Sequence, residues 1–95
     1  MVKHIVFFKL KENSSKNLEE VKEKLLSLKK HIKLLKEIEV GIDFKKSERS
    51  YDIALITVFE NEEDLNTYAI DPYHLEVVKF IKERAKDSKT VDFKY

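Results

Sequence analysis

The run IALITVF, residues 53–59, has apolar side chains at six of its seven positions. Successive side chains of a strand point to opposite faces, so a strand made from this run is apolar on both. The run VKHIVFFKL, residues 2–10, behaves similarly. Val2, His4, Val6, Phe8 and Leu10 fall on one face, and Ile5 and Phe7 fall on the other between Lys3 and Lys9. A strand with one wet face can border solvent, whereas a two-sided one needs cover above and below. A chain of 95 residues has room for one core only. Two double-faced strands in so short a chain therefore restrict the possible architectures more than any other feature.

The intervening segments supply the cover for one side. After the polar break Asn13, Ser14, Ser15, the residues Leu18, Val21, Leu25, Leu28 and Ile32 recur at helical spacing, which predicts an amphipathic helix ending near Lys33. Ile38, Val40, Ile42 and Phe44 alternate with Glu39, Gly41 and Asp43, the pattern of a strand with one wet face. Gly41, the single glycine, sits inside that pattern, where glycine weakens pairing, and is expected to hold a position that no larger residue accepts. KKSERS, residues 45–50, makes a hairpin-like loop, and the third strand runs from Tyr51 to Phe59. Asn61 can cap the next helix, with Asp64 at its third position. Pro72 interrupts that helix, and a second segment from about Pro72 to Ala85 carries Val77, Val78 and Ile81 inward. Val91, Phe93 and Tyr95, alternating with Thr90, Asp92 and Lys94, close the chain as a fourth strand.

The order βαββαβ predicts an α+β fold, a ferredoxin-like protomer whose four-stranded antiparallel sheet has strands one and three at its centre and two and four at its edges. Two helices can cover only one face of that sheet. Ile5, Phe7, Ala54, Ile56 and Val58 would then form an exposed apolar strip, of the kind that marks an interface. A homodimer packed sheet face to sheet face, a dimeric α/β barrel, is the simplest cover.

Charge and composition remove several function classes. Nineteen basic and eighteen acidic residues leave a net charge of +1, so no electrostatic footprint of nucleic-acid binding follows. The absence of cysteine excludes disulfides, thiolate metal sites and cysteine nucleophiles. No His and carboxylate pair has convincing metal-ligand spacing, and neither metal nor cofactor is expected. The opening MVKHIVFFKLKEN is apolar for too short a run to be a signal peptide or membrane span, and a cytoplasmic location is expected. Phe7, Phe8, Phe44 and Phe59 read as core aromatics.

In order along the chain, VKHIVFFKLK, EVGIDF, SYDIALITVF followed by ENEEDL, YAIDPYHLEVV and the terminal VDF resemble the stress-responsive dimeric α/β-barrel (Dabb) domain family over nearly the whole length. The resemblance implies a single domain over residues 1–95 and a protomer whose sheet packs on a partner's. A plant polyketide cyclase of that family uses a Tyr and a His from the segment matching Tyr68 and His74, in a pocket between helices and sheet, and a His near the start of its first strand matches His4. A pocket lined by His4, Val6, Phe8, Leu55, Tyr68, His74 and Val78 is accordingly expected to take a small apolar or aromatic ligand. The position before the proline is often His in relatives and is Asp71 here, which is expected to bring a carboxylate to the pocket rim. Many members of the family have no assigned activity and some plant members are stress-associated, which makes a stress-associated structural dimer without catalysis the rival reading.

The residues of YAIDPYHLEVV can be weighed on their own terms. Tyr68 and His74 are six positions apart, so on one unbroken helix they would diverge by roughly 240°. Pro72 breaks the helix, and Asp71 as N-cap with Pro72 at the first helical position gives an ordinary restart. His74 then lies in the first turn, where the helix dipole disfavours the imidazolium. A neutral imidazole can act as general base and a phenol can donate to a carbonyl or enolate, which gives His74 as base, Tyr68 as donor and His4 as orienting group. The plainer alternative is that Asp71 and Pro72 only punctuate two helices, with Tyr68 as amphipathic core and His4 as a hydrogen-bonded core histidine. His31 reads as a favourable charge at a helix C-terminus.

Overall fold

Side chains at the element ends set the frame. The Ser14 hydroxyl accepts from the Asn17 amide and starts helix α1, Ser15–Leu26. Asn61 does the same for the Asp64 amide at the head of α3, Glu62–Ala69, whose first turn carries Glu62, Glu63 and Asp64, acids that favour the positive end of the helix dipole. The computed structural model describes residues Met1–Tyr95. Its other elements are β1 (Val2–Leu10), α2 (Leu28–His31), β2 (Glu37–Ile42), β3 (Ile53–Phe59), α4 (Pro72–Arg84) and β4 (Ala85–Lys94). None of the helices is long and apolar enough to cross a membrane.

The four strands form one antiparallel sheet in the order β2-β3-β1-β4. The two double-faced strands are central, and the architecture is the ferredoxin-like α+β one. Helices cover one face, and the core beneath them joins Val2, Val6, Phe8 and Leu10 of β1 to Val21, Leu25 and Leu28, to Leu55 and Phe59 of β3, and to Tyr68, Val77 and Ile81. Asp52 secures the far end of β1. Its carboxylate accepts from the Leu10 amide at 2.7 Å, and its own amide donates to the Phe8 carbonyl at 2.8 Å.

Several expectations from the sequence need correction. The first helix does not run unbroken to Lys33 but divides at Ser27. The Ser27 hydroxyl donates back to the Lys24 carbonyl at 2.5 Å, the local competition by which serine bends helices, and it accepts from the Tyr73 hydroxyl at 2.6 Å. Phe44 is no core residue. β2 stops at Ile42, and Phe44 lies in the following turn, 91% exposed. Phe8 and Phe59 are buried, whereas Phe7 is on the outer face. β3 begins at Ile53 rather than Tyr51.

β4 differs most from expectation. It starts directly after α4, at Ala85, with a register shift opposite Lys9 and Leu10. The ladder places Asp92 across from His4, Thr90 from Val6 and Ser88 from Phe8. Directly opposed residues share a face, so the polar side of β4 turns toward the helices. Val91 and Phe93 pair with Ile5 and Lys3 and add to the outer apolar strip with Ile5, Phe7, Ala54 and Ile56. Val58, expected in that exposed strip, is buried within the protomer, at 4% exposure, between Lys3 and Glu37 in the ladder. Gly41 is not sterically required here. A Cβ built on it meets nothing within 4 Å, because the residue faces outward from the edge strand.

Candidate functional site

The polar inner face of β4 leaves a gap in the core. A cavity of about 390 Å³ opens between the sheet and the helices, lined by His4, Val6 and Phe8 of β1, Leu55 of β3, Tyr68 of α3, and His74 and Val78 of α4. Leu25, Leu28, Val77 and Ile81 extend its apolar wall, and Ser88 and Thr90 contribute its polar one. Chain order alone would separate these residues. The sheet register and the break between α3 and α4 bring them together.

The break works through Asp71. Its carboxylate accepts from the Tyr73 amide at 2.8 Å and the His74 amide at 3.3 Å, capping α4 with Pro72 in its first turn. The carboxylate is thereby committed to the backbone, and Asp71 is absent from the cavity lining, contrary to the rim position expected for it. The cap fixes the first turn of α4 so that the His74 ring meets the Tyr68 ring, with centroids 4.3 Å apart and planes inclined by 45°. Tyr68 also packs on Phe59 at 4.8 Å.

Hydrogen bonds define the tautomers. Nδ1 of His74 lies 3.1 Å from the Ala69 carbonyl, which can only accept, so Nδ1 carries the proton and Nε2 is left as the basic nitrogen. Burial holds His74 below the usual histidine pKa, opposed by the bond to Ala69, with the charge of His4 lowering it further and that of Asp71 raising it. Nδ1 of His4 bonds the carboxylate of Asp92 across the β1–β4 ladder. The carboxylate fixes the ring and likewise leaves Nε2 unclaimed. Tyr68 contrasts with both. It is 1% exposed, burial raises its phenol well above the ordinary range, with Asp71 second, and its hydroxyl has no hydrogen-bond partner.

Asp92, Lys82, Lys86, Ser88 and Thr90 were not among the residues singled out from sequence. Thr90 and Asp92 alternate with the apolar Val91 and Phe93 of β4, whereas no such alternation marks Lys82, Lys86 or Ser88. His31 does bond a carbonyl of the preceding turn, that of Ser27 at 3.0 Å, and also stacks on Tyr73 with centroids 3.8 Å apart, outside the cavity. No three His, Cys, Asp or Glu side chains come together in a way that could hold a metal ion.

Comparison with solved structures places this fold among known proteins. The chain is similar to a dimeric protein of unknown function with a ferredoxin-like fold from Bacteroides fragilis, at 30% identity and TM-score 0.82, covering 99% of this chain and 95% of that one. It is also similar to a dimeric ferredoxin-like protein of unknown function from Thermobifida fusca, at 24% identity and TM-score 0.85, covering 99% and 90%. A hydroxynitrile lyase from Passiflora edulis shares the fold at 21% identity and TM-score 0.85, covering 97% and 90%. Comparison with curated proteins gives no match. The family model described as the stress responsive A/B barrel domain matches residues 2–95. That span takes in all four strands, all four helices and every cavity residue, and the chain belongs to the stress responsive A/B barrel (Dabb) family.

Proposed function

We propose that this chain is a homodimeric barrel protein that binds a small apolar or aromatic carbonyl compound in the cavity between helices and sheet, and acts on it by cofactor-free acid–base chemistry. The observation that carries the reading is the Tyr68 hydroxyl, buried, without a protein partner and in a ring in contact with His74. Buried polar groups are almost always satisfied, and because Tyr68 lines the cavity this reading gives its hydroxyl a ligand atom as partner.

In this reading Nε2 of His74 takes a proton from the carbon beside the carbonyl. The Tyr68 O–H donates a hydrogen bond to the carbonyl oxygen as it gains enolate charge, and the His74 imidazolium exchanges its proton with solvent and returns one to the carbon, which restores the neutral base. His4, held by Asp92, orients the ligand from the β1 side. The outer apolar strip and the dimeric state of the Bacteroides fragilis and Thermobifida fusca proteins support a second copy against the sheet.

Acetophenone in deuterated buffer is a direct probe. Amide shifts should map to Leu55, His74 and Val78, and the methyl protons should exchange faster than in buffer alone. His74→Ala should abolish the acceleration while acetophenone still binds. Binding without acceleration in the wild type would reduce the protein to a carrier, and no binding would remove the cavity reading.

A further inference from the structure

We propose, resting on the cavity reading above, that the ligand carries an anionic group at its end remote from His74, held by Lys82 and Lys86 at the cavity mouth. Both lysines line the cavity. Lys82 lies one turn beyond Val78 on α4. Lys86 sits at the register shift, where Lys9 pairs with Asp87 and Leu10 with Ala85, so Lys86 has no ladder partner. Bulges of this kind re-aim side chains, and this one turns a cation toward the mouth.

Neither lysine forms an ion pair with any acid of the protein. Asp87, the one carboxylate among the lining residues, is engaged elsewhere. It accepts from the Tyr51 hydroxyl at 2.6 Å and from the Ser88 amide at 2.9 Å, and its ladder position opposite Lys9 belongs to the outer face. Glu83 lies in the adjoining groove with Lys79 and Lys82 and pairs with neither. Two free cations at the rim of an apolar cavity, with no acid committed to them, favour an anion between them.

The separation of the two ends sets the ligand's size. Eight helical residues from His74 to Lys82 span about 12 Å, and the four strand residues from His4 to Phe8 about 13 Å. The ligand class is therefore a linear amphiphile close to the extended length of a ten-carbon chain, with a carboxylate or phosphate at the lysines and its far end against Tyr68 and His74.

Decanoate, decyl phosphate and decanol are the probes, titrated into the full chain and followed by amide and histidine NMR. Both anions should bind roughly tenfold more tightly than decanol, the combined effect expected of two partly exposed ion pairs. Added salt should weaken the anions and not decanol. Lys82→Gln with Lys86→Gln should erase the preference, so that both anions bind no more tightly than decanol binds the same variant, and should the double variant fold poorly, the salt dependence of the wild type decides. The stronger of the two anions identifies carboxylate or phosphate as the head group. Equal affinity for decanol and both anions would overturn the anionic end while leaving the cavity reading intact. A His74 pKa raised by decanoate would place the anion at the histidine end and overturn the orientation. Failure of all three probes to perturb cavity residues would overturn the cavity reading and this inference with it.

Discussion

Tyr68 spends most of its surface on packing and leaves its one polar atom unsatisfied. An unmet buried hydroxyl costs on the order of 1–3 kcal/mol, so Tyr68→Phe is expected to raise the melting temperature rather than lower it, as thermal unfolding would register. A tyrosine whose hydroxyl is satisfied within the fold would give no such gain. His74 supplies a second expectation at this scale. Its pKa is lowered chiefly by burial, so the folded protein resists the protonation that the unfolded chain accepts near the ordinary value of about 6.5. Its contribution to stability is complete above that pH and declines as pH falls through and below it. Urea unfolding at pH 7.5 and pH 5.5 should show the decline, and His74→Gln should reduce it. A histidine pKa above about 7 would remove the neutral base. The contact of Tyr68 with His74 was legible in the sequence, because Pro72, the only proline, breaks the helix that would hold them apart. Asp92 was not, because nothing local announces a partner 88 positions from His4.

Among the elements, α4 connects the site to the rest of the fold. Asp71 caps it, Tyr73 ties it to the Ser27 break between α1 and α2, and His31 stacks on Tyr73. Asp71→Ala should cost about 1 kcal/mol, the usual loss of an N-cap, and should loosen the contact between His74 and Tyr68, seen as a His74 pKa closer to that of an exposed ring. The central strands and amphipathic faces were readable because burial imposes periods of two and 3.6. The helix break at Ser27 escaped because Leu25, Leu28 and Ile32 keep helical spacing across it. β4 was placed too late because Lys86, Asp87, Ser88 and Lys89 have no apolar alternation to mark them. Its inner face is polar since it borders a cavity rather than packed side chains.

At the scale of the whole molecule, the two faces of the sheet are fitted to different tasks. The outer face keeps Ile5, Phe7, Ala54 and Ile56 and gains Val91 and Phe93 from β4, the last two 59% and 40% exposed. Ile56→Lys should therefore prevent dimerisation, read by analytical ultracentrifugation at micromolar concentration. A wild-type protein that is a well-folded monomer there would contradict the outer-face role. Gly41→Val adds a side chain where the protomer has open space, so any effect should fall on association rather than on folding. The inner face holds the central claim, that the Tyr68 hydroxyl is kept unpaired for a ligand carbonyl. The most direct measurement is the affinity of wild type and Tyr68→Phe for acetophenone and for ethylbenzene, which has no oxygen. Loss of one hydrogen bond should weaken acetophenone by roughly three- to tenfold and leave ethylbenzene unchanged, whereas equal effects on both compounds, or none on either, would contradict it.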